Sequence, residues 1–224
     1  MKKERKIQKA DSNVDSKVRE FKDSFVALLI FTALSMLLLN QETFPYTLMY
    51  LDGDKYGVPY FILSIFISII IHDTYFYWTH RMLHTKFFQK IHRVHHQSHN
   101  PTPWAAFAFH PVEALIQNGI TIILPFIIPL HPLALLIFLM FSTFYTVYVH
   151  SGYELFPKFL LRSKVGKWIN SSIGHNMHHE LYSQSYGLYF RFWDVVMKTA
   201  HPQYRERIDL LTDRVSKVDK RKVS

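Results

Sequence analysis

The sequence predicts an all-α integral membrane protein, with four transmembrane helices in two hairpins and a cytoplasmic helical cap that carries clusters of histidines. Three features support this fold: long apolar runs, an uneven distribution of Lys and Arg, and histidines grouped at helical spacings. The chain has 224 residues, a length typical of one domain. We expect a basic cytoplasmic N-terminal segment over residues 1–23, a membrane-embedded domain over 24–202, and a basic C-terminal tail over 203–224.

The apolar runs set the predicted number of spans. Residues 24–41 carry no charge, and a second apolar run covers about residues 56–78. Residues 114–149 form 36 consecutive positions without Asp, Glu, Lys or Arg, far more than the about 20 that cross a bilayer as one helix. Pro129 and Pro132 interrupt this stretch where a helix should break, so it predicts two spans. Core helices of a soluble protein are the alternative, but a domain of this size does not bury four such runs.

Lys and Arg indicate the orientation of the spans. Eight lie in residues 1–23, one in 42–56, four in 80–103, none in the turn at 129–132, and thirteen in 150–224. Because positive residues stay on the cytoplasmic side, both termini and the histidine-rich 80–103 segment are predicted to be cytoplasmic. Topology and anionic membrane lipids explain the net charge of +9, so nucleic acid is not an expected partner.

Histidines form three clusters with the spacings H-x3-H, H-x2-H-H and H-x2-H-H. Residues three or four apart share one face of a helix, and imidazole is the commonest side-chain metal ligand. Surface histidines near lipid headgroups are the alternative reading. Together with the histidine that follows the fourth predicted span, the clusters supply nine candidate ligands: His80, His84, His92, His95, His96, His150, His175, His178 and His179.

Nine imidazoles are too many for one ion, because a tetrahedral site takes four ligands. They suit two ions that keep open positions for a small reactant. The chain has no cysteine, so imidazole and carboxylate are the available ligands. Nitrogen ligands alone permit zinc, copper, iron or nickel.

Five further residues are candidates to support the metal ligands: Asp73, His99, His110, Glu113 and Asp194. The carboxylates are expected to hydrogen-bond the far ring nitrogen of a ligating histidine. His110 is left open as a ligand, a hydrogen-bonding neighbour or a packed polar residue, and His99 is favoured as a surface or neighbouring group. Aromatic residues such as Phe107 and Phe109 suit either a lipid channel or a membrane-interface belt.

The histidine motifs resemble those of the fatty acid hydroxylase and sterol desaturase superfamily of membrane di-iron enzymes. The resemblance covers roughly residues 73–202. It is carried by these motifs: His80-Arg81-Met82-Leu83-His84, His92-Arg93-Val94-His95-His96, Phe109-His110-Pro111-Val112-Glu113, His150-Ser151-Gly152-Tyr153, His175-Asn176-Met177-His178-His179, and Tyr186 to Asp194. Acyl-chain desaturases typically have a much longer gap between the first two boxes, so the seven-residue gap here favours the hydroxylase branch.

The resemblance implies two non-haem iron ions, O2 as co-substrate and an external electron carrier that is cytochrome b5-like or ferredoxin-like. It implies hydroxylation or desaturation of a lipid such as a sterol or fatty acyl chain, in a bacterial inner membrane or the endoplasmic reticulum. The nine histidines are the implied ligands. Some members have a second histidine where this chain has Glu154, so the alternatives are a site with one imidazole fewer or a carboxylate or water in that place.

A non-enzymatic membrane protein that binds or transports metal is the alternative function. Transporters carry their ligands near mid-bilayer, between half-helices. The clusters here follow the ends of the predicted spans, which favours the oxygenase.

Overall fold

The structure is a computed structural model that describes residues 3–223, with side chains through residue 218. Every regular element in this part of the chain is helical, which confirms the all-α prediction. The α-helices are α1 Val14–Leu39, α2 Gly57–Leu83, α3 Gln89–His96, α4 Pro111–Ile127, α5 Pro132–His150, α6 Lys158–Leu161, α7 Ser172–Leu181, α8 Phe192–Val196 and α9 Tyr204–Val223. Short 3-10 helices cover Lys3–Arg5, Phe44–Tyr46 and Pro103–Phe107.

Three of these helices are long and apolar enough to cross a membrane: α1, α2 and α5, of 26, 27 and 19 residues. The fourth predicted span corresponds to α4, an apolar helix of 17 residues with Pro125 in its last turn. The predicted break is confirmed, because α4 ends before Pro129 and α5 begins at Pro132. The finer count of four spans stays a prediction, since α4 is at the about 17-residue lower limit for crossing a bilayer.

Helix α1 crosses the boundary at residue 23 between the basic N-terminal segment and the first predicted span. Its N-cap is Asn13, whose side chain accepts a hydrogen bond from the Ser16 amide. The helix then continues past Asp23 to Leu39, because no Pro or Gly interrupts it. Ahead of it, the Ile7 amide donates to the Gly152 carbonyl at 2.8 Å. The N-terminal segment therefore packs on the loop that follows α5.

The helices pack mainly against partners that are not their neighbours in sequence. Helix α1 packs on α4 and on the 3-10 helix Pro103–Phe107, while α2 packs on both α4 and α5. One core cluster joins α4, α5 and the adjoining loops through Ile120, Leu124, Leu130, Leu135 and Phe138. The two predicted hairpins are thus interleaved, and a cleft remains between α1, α4 and α5.

The segments after α5 form a cap over the C-terminal ends of α2 and α5. Helix α7 contacts α5 on one side and α9 on the other. Ile173 and Met177 of α7 pack with Tyr204, Ile208 and Leu211 of α9 in a buried apolar cluster. This packing leaves the other face of α7, which carries the histidines, directed at the ends of the spans.

Candidate metal centre

The structure brings all nine predicted ligand histidines together at the end of the bundle. They form two groups, and within each group one ring nitrogen per residue lies within 4.8 Å of the others. The first, called here the five-histidine group, is His80, His84, His92, His96 and His178. The second, the four-histidine group, is His95, His150, His175 and His179. All are buried except His84, which is partly exposed.

Helical geometry decides how each cluster is divided. On α3, His92 and His96 are four residues apart and share a face, whereas His95 points to the other group. On α7 the assignment is reversed. His175 and His179, four residues apart, belong to the four-histidine group, and His178 belongs to the five-histidine group. Both short helices therefore lie between the two groups and contribute to each.

The ring nitrogens of the five-histidine group have the spacing of ligands around one ion. Nε2 of His84 lies 3.0 Å from Nε2 of His92 and 3.2 Å from that of His178. Nε2 of His178 lies 3.1 Å from that of His96. Two nitrogens bound at about 2.1 Å and at right angles to each other would be about 3.0 Å apart.

The four-histidine group has the same spacing. Nε2 of His150 lies 2.9 Å from that of His175 and 3.3 Å from that of His95. Nε2 of His179 lies 3.2 Å from that of His175. The donor set is entirely imidazole nitrogen, which suits a transition metal.

The hydrogen bond made by the outer ring nitrogen, Nδ1, determines whether the inner nitrogen, Nε2, carries a proton or a lone pair. Nδ1 of His150 donates to the Thr146 carbonyl at 2.7 Å, and Nδ1 of His178 donates to the Gln184 carbonyl at 2.7 Å. A neutral imidazole has one donor and one acceptor, so each Nε2 here faces its group with a lone pair. Lone pairs that converge from several rings repel one another, and a bound cation removes that repulsion. The residues present therefore fit a metal ion in each group.

Glu113 supports the five-histidine group directly. Its Oε1 lies 2.6 Å from Nδ1 of His92, and both side chains are buried. A carboxylate in this position holds the proton on Nδ1, fixes the ring orientation and makes the metal-facing nitrogen more basic.

Asp73 and Asp194 do not hydrogen-bond a candidate ligand directly, although the sequence suggested that they would. Asp73 Oδ1 accepts from the backbone amides of Tyr189 at 2.8 Å and Phe190 at 3.1 Å. Asp194 accepts from the amides of Tyr186 and Gly187, both at 2.9 Å. These carboxylates thus hold the segment after α7 in place. They bind backbone amides because that segment makes a tight turn, and its N–H groups need hydrogen-bond acceptors.

The turn held by the two carboxylates carries the carbonyls that orient two ligand candidates. Nδ1 of His80 donates to the Tyr186 carbonyl at 2.9 Å, just as His178 donates to Gln184. Tyr182, Gln184 and Ser185 all have positive φ, which turns the chain sharply back over the end of α7. Sequence reasoning missed these carbonyls, because any residue type supplies a backbone oxygen.

Three other candidates lie outside both groups. His99 is exposed, because α3 ends at His96 and the chain leaves the site. His110 caps α4 and accepts from the Val112 amide at 3.2 Å. Glu154 is buried, but its carboxylate accepts from Tyr148 and from the Phe156 and Ile173 amides. Glu154 therefore supports the loop after α5 and does not replace a missing imidazole.

Comparison with known proteins agrees with this geometry. A family model described as fatty acid hydroxylase matches residues 65–199, a range that holds all nine histidines. The chain belongs to the fatty acid hydroxylase family. The resemblance to the hydroxylase and desaturase superfamily is thereby confirmed, and with its three long apolar helices this family member is a multi-pass membrane protein.

The curated relatives of this fatty acid hydroxylase family member include enzymes named for sterols. It is 32% identical over 179 residues to lathosterol oxidase of Homo sapiens, covering 79% of this chain and 58% of the relative. It is 29% identical to the Delta(7)-sterol 5(6)-desaturase of Gibberella zeae, covering 79% and 53%. A putative methylsterol monooxygenase of Dictyostelium discoideum is 35% identical, covering 68% and 57%. The chain spans a little over half the length of these relatives, and no solved structure matches it.

Burial and mutual proximity favour the neutral form of five of the candidate ligands of this family member. Desolvation, with the neighbouring histidines, lowers the pKa of His84 to about 2, and desolvation lowers that of His178 to about 3. The same causes lower the pKa of His95, His175 and His179 well below the usual range. Neutral imidazole is the form that binds metal, so the centre is ready for metal at neutral pH.

Proposed function

We propose that this chain is a membrane-bound non-haem di-iron oxygenase that hydroxylates or desaturates a lipid, using O2 and electrons from an external carrier. The observation that carries the proposal is the convergence of nine buried or partly buried histidines into two groups with metal-ligand spacing. Sterol enzymes among the relatives favour a sterol-like substrate, with a fatty acyl chain as the alternative. A cytochrome b5-like or ferredoxin-like protein is the proposed electron donor.

The five-histidine group would hold one iron and the four-histidine group the other. An octahedral ion takes six ligands, so both groups would leave room for a small reactant. Bound iron would supply the oxidising power to remove hydrogen from an unactivated C–H bond, which no side chain has.

The protein's own residues would prepare the site for this chemistry. Glu113 holds the proton on Nδ1 of His92, and the Thr146, Gln184 and Tyr186 carbonyls do the same for their partners. Each ring is thereby kept in one orientation with its lone pair inward. The packing of the cap on the ends of α2 and α5 excludes bulk water from the groups.

We also propose that α4 is the fourth span and that the cap lies on the cytoplasmic side. The C-terminal ends of α2 and α5 both carry ligand candidates, which supports a shared face for the two helices. The distribution of Lys and Arg supports the cytoplasmic side for that face. The membrane-embedded domain would then cover residues 24–202.

Metal analysis of the purified protein tests the proposal. We expect close to two irons per chain in the wild type and in His99→Ala, whose exposed side chain lies outside both groups. We expect His95→Ala to lose metal from the four-histidine group and to lose activity. Activity itself is measured by lipid mass spectrometry of cells with and without the protein under labelled O2.

Two results would contradict the proposal. One is a metal-free protein whose activity survives His95→Ala. The other is metal-dependent flux in vesicles with no oxygen-dependent lipid product, which would indicate a transporter.

A further inference from the structure

A cavity of about 230 Å³ lies beside the four-histidine group on its membrane side. It is enclosed by α1, α2, α4, α5 and the loop around Phe107 and Phe109, and Leu188 of the cap segment also lines it. The ring of Phe109 lies 5.0 Å from that of His95, centroid to centroid. Thr146, another lining residue, supplies the carbonyl that binds His150. The cavity is therefore lined by residues that contact two of the candidate ligands.

Two amide side chains of α4, those of Gln117 and Asn118, line this cavity, and each has a buried polar atom without a partner. Gln117 and Asn118 are 8% and 9% exposed. The carbonyl oxygen Oε1 of Gln117 and the amide nitrogen Nδ2 of Asn118 are both buried and make no hydrogen bond. Unpaired polar groups inside an apolar helical bundle are costly, and they indicate a functional role.

Three of the other polar side chains that line the cavity have partners. The hydroxyl of Thr121 donates to Oδ1 of Asn118 at 2.7 Å, which also leaves Nδ2 as the free end of that amide. The hydroxyl of Thr146 donates to the Ser142 carbonyl, and Nδ1 of His72 pairs with the Tyr189 hydroxyl. The two amides therefore have at least one acceptor, Oε1 of Gln117, and one donor, Nδ2 of Asn118, without a partner.

We propose that Gln117 and Asn118 recognise a hydroxyl group of the lipid substrate and so determine specificity. A hydroxyl can donate to Oε1 of Gln117 and accept from Nδ2 of Asn118, whereas a carbonyl or ether oxygen can only accept and leaves Oε1 of Gln117 unpaired. Gln117 lies one helical turn, about 6 Å, beyond Glu113, so the hydroxyl would lie close to the metal centre. Oxidation should then occur at the hydroxyl-bearing end of the lipid.

The volume of the cavity indicates where the rest of the lipid lies. At about 230 Å³ it is below the about 300 Å³ that encloses a small ligand completely. A shallow groove continues from it along the outer face of α1, and Leu28, Phe31 and Ser35 line both. The groove extends to Met36 and Leu39, so the apolar body of the lipid would lie there, in contact with the bilayer.

This inference rests on the proposed function for the identity of the ligand as substrate, but its test needs no turnover. Full-length protein in nanodiscs, without an electron donor, is incubated with tritiated cholestanol. The label is competed with unlabelled cholestanol, with its methyl ether and with cholestane. A parallel series uses tritiated hexadecanol with its methyl ether and hexadecane. Metal content is measured on the same samples, so a failure of the di-iron proposal is seen separately from a failure of this one.

In at least one series we expect the alcohol to compete about tenfold better than its hydrocarbon, with the ether in between. Asn118→Leu and Gln117→Leu should each remove most of that preference while metal content stays unchanged. Ser64→Ala is the control, because that buried hydroxyl donates to the Phe61 carbonyl and does not line the cavity. Equal competition by alcohol and hydrocarbon in both wild-type series would overturn the proposal, even if the variants failed to fold. A preference that survives in both variants would overturn it as well.

Discussion

At the scale of single residues, four of the nine histidine rings are held through their outer nitrogens, Nδ1. His92 is held by a carboxylate, whereas His80, His150 and His178 are held by backbone carbonyls. Only the partner of His92 can be altered by mutation without moving the main chain. Mutation of Glu113 can therefore test the effect of a hydrogen bond to the outer ring nitrogen on its own.

Glu113→Ala should weaken metal binding by the five-histidine group about 10- to 100-fold, because His92 loses the group that fixes its ring. Glu113→Gln should have a smaller effect, since an amide oxygen still accepts from Nδ1 without the negative charge. Metal titration by competition with a chelator measures both. Glu180→Gln, at an exposed carboxylate paired with Arg207, is the matched control and should bind as the wild type does. Unchanged affinity in Glu113→Ala would remove Glu113 from the site.

At the scale of elements, the turn after α7 links the cap to the ligands. Asp73 from α2 and Asp194 from α8 bind its amides, and its carbonyls bind two histidines. Gly187 lies within this turn, where a Cβ would be 2.2 Å from the Phe190 carbonyl oxygen and 3.0 Å from Asp194. The close approach of backbone and carboxylate is possible because the residue has no side chain.

Gly187→Ala should lower the free energy of unfolding by about 1–3 kcal/mol, because the added methyl group forces the turn apart. Metal affinity should fall with it, since His80 and His178 lose their fixed carbonyl partners. Thermal unfolding and chelator competition measure the two effects. Gly53→Ala is the control, because no atom lies within 4 Å of a Cβ placed there. Equal stability of the two variants would show that the turn is not tightly packed.

At the scale of the whole molecule, the candidate centre joins the ends of α2, α3, α5 and α7. The ligands of each group come from at least three of these helices, so an ion binds them together only in the folded chain. A ligand that binds the folded state alone stabilises it by about 2.7 kcal/mol when its concentration is 100 times Kd. Metal should therefore stabilise the cap against unfolding as well as form the active centre.

Removal of metal with a chelator should lower Tm, and adding Fe(II) back under anaerobic conditions should restore it. His95→Ala should show a smaller shift than the wild type, while His99→Ala should show the full shift. Differential scanning fluorimetry on detergent-solubilised protein measures these changes. Identical Tm values for loaded and stripped protein, with metal loss verified by mass spectrometry, would contradict a structural role for the metal.

The absence of cysteine allows the orientation of the whole molecule to be tested by single substitutions. Lys86→Cys lies in the segment before α3, and Lys55→Cys lies in the loop before α2; both positions are exposed. A membrane-impermeant maleimide applied to intact cells should label only Lys55→Cys, and both should react after lysis. Labelling of both positions in intact cells would contradict the predicted topology.

The sequence by itself determined the helical class, the break between α4 and α5, and the set of nine histidines that converge. Each of these depends on local rules, because an apolar run, a proline or an i,i+4 spacing acts within one helix. The number of spans stays a prediction for a local reason as well, since α4 ends at Ile127, before Pro129, and is only 17 residues long.

Only the tertiary structure decided how the histidines divide between two groups. His95 and His96 are neighbours in sequence but face different groups, and which group each joins depends on where α5 and α7 pack. It also decided that Asp73 and Asp194 bind backbone amides, and that Gln117 and Asn118 line a cavity next to the centre. The physical reason is the same throughout. Spacing along a helix specifies which side chains share a face, but what that face meets is set by contacts between segments about a hundred residues apart.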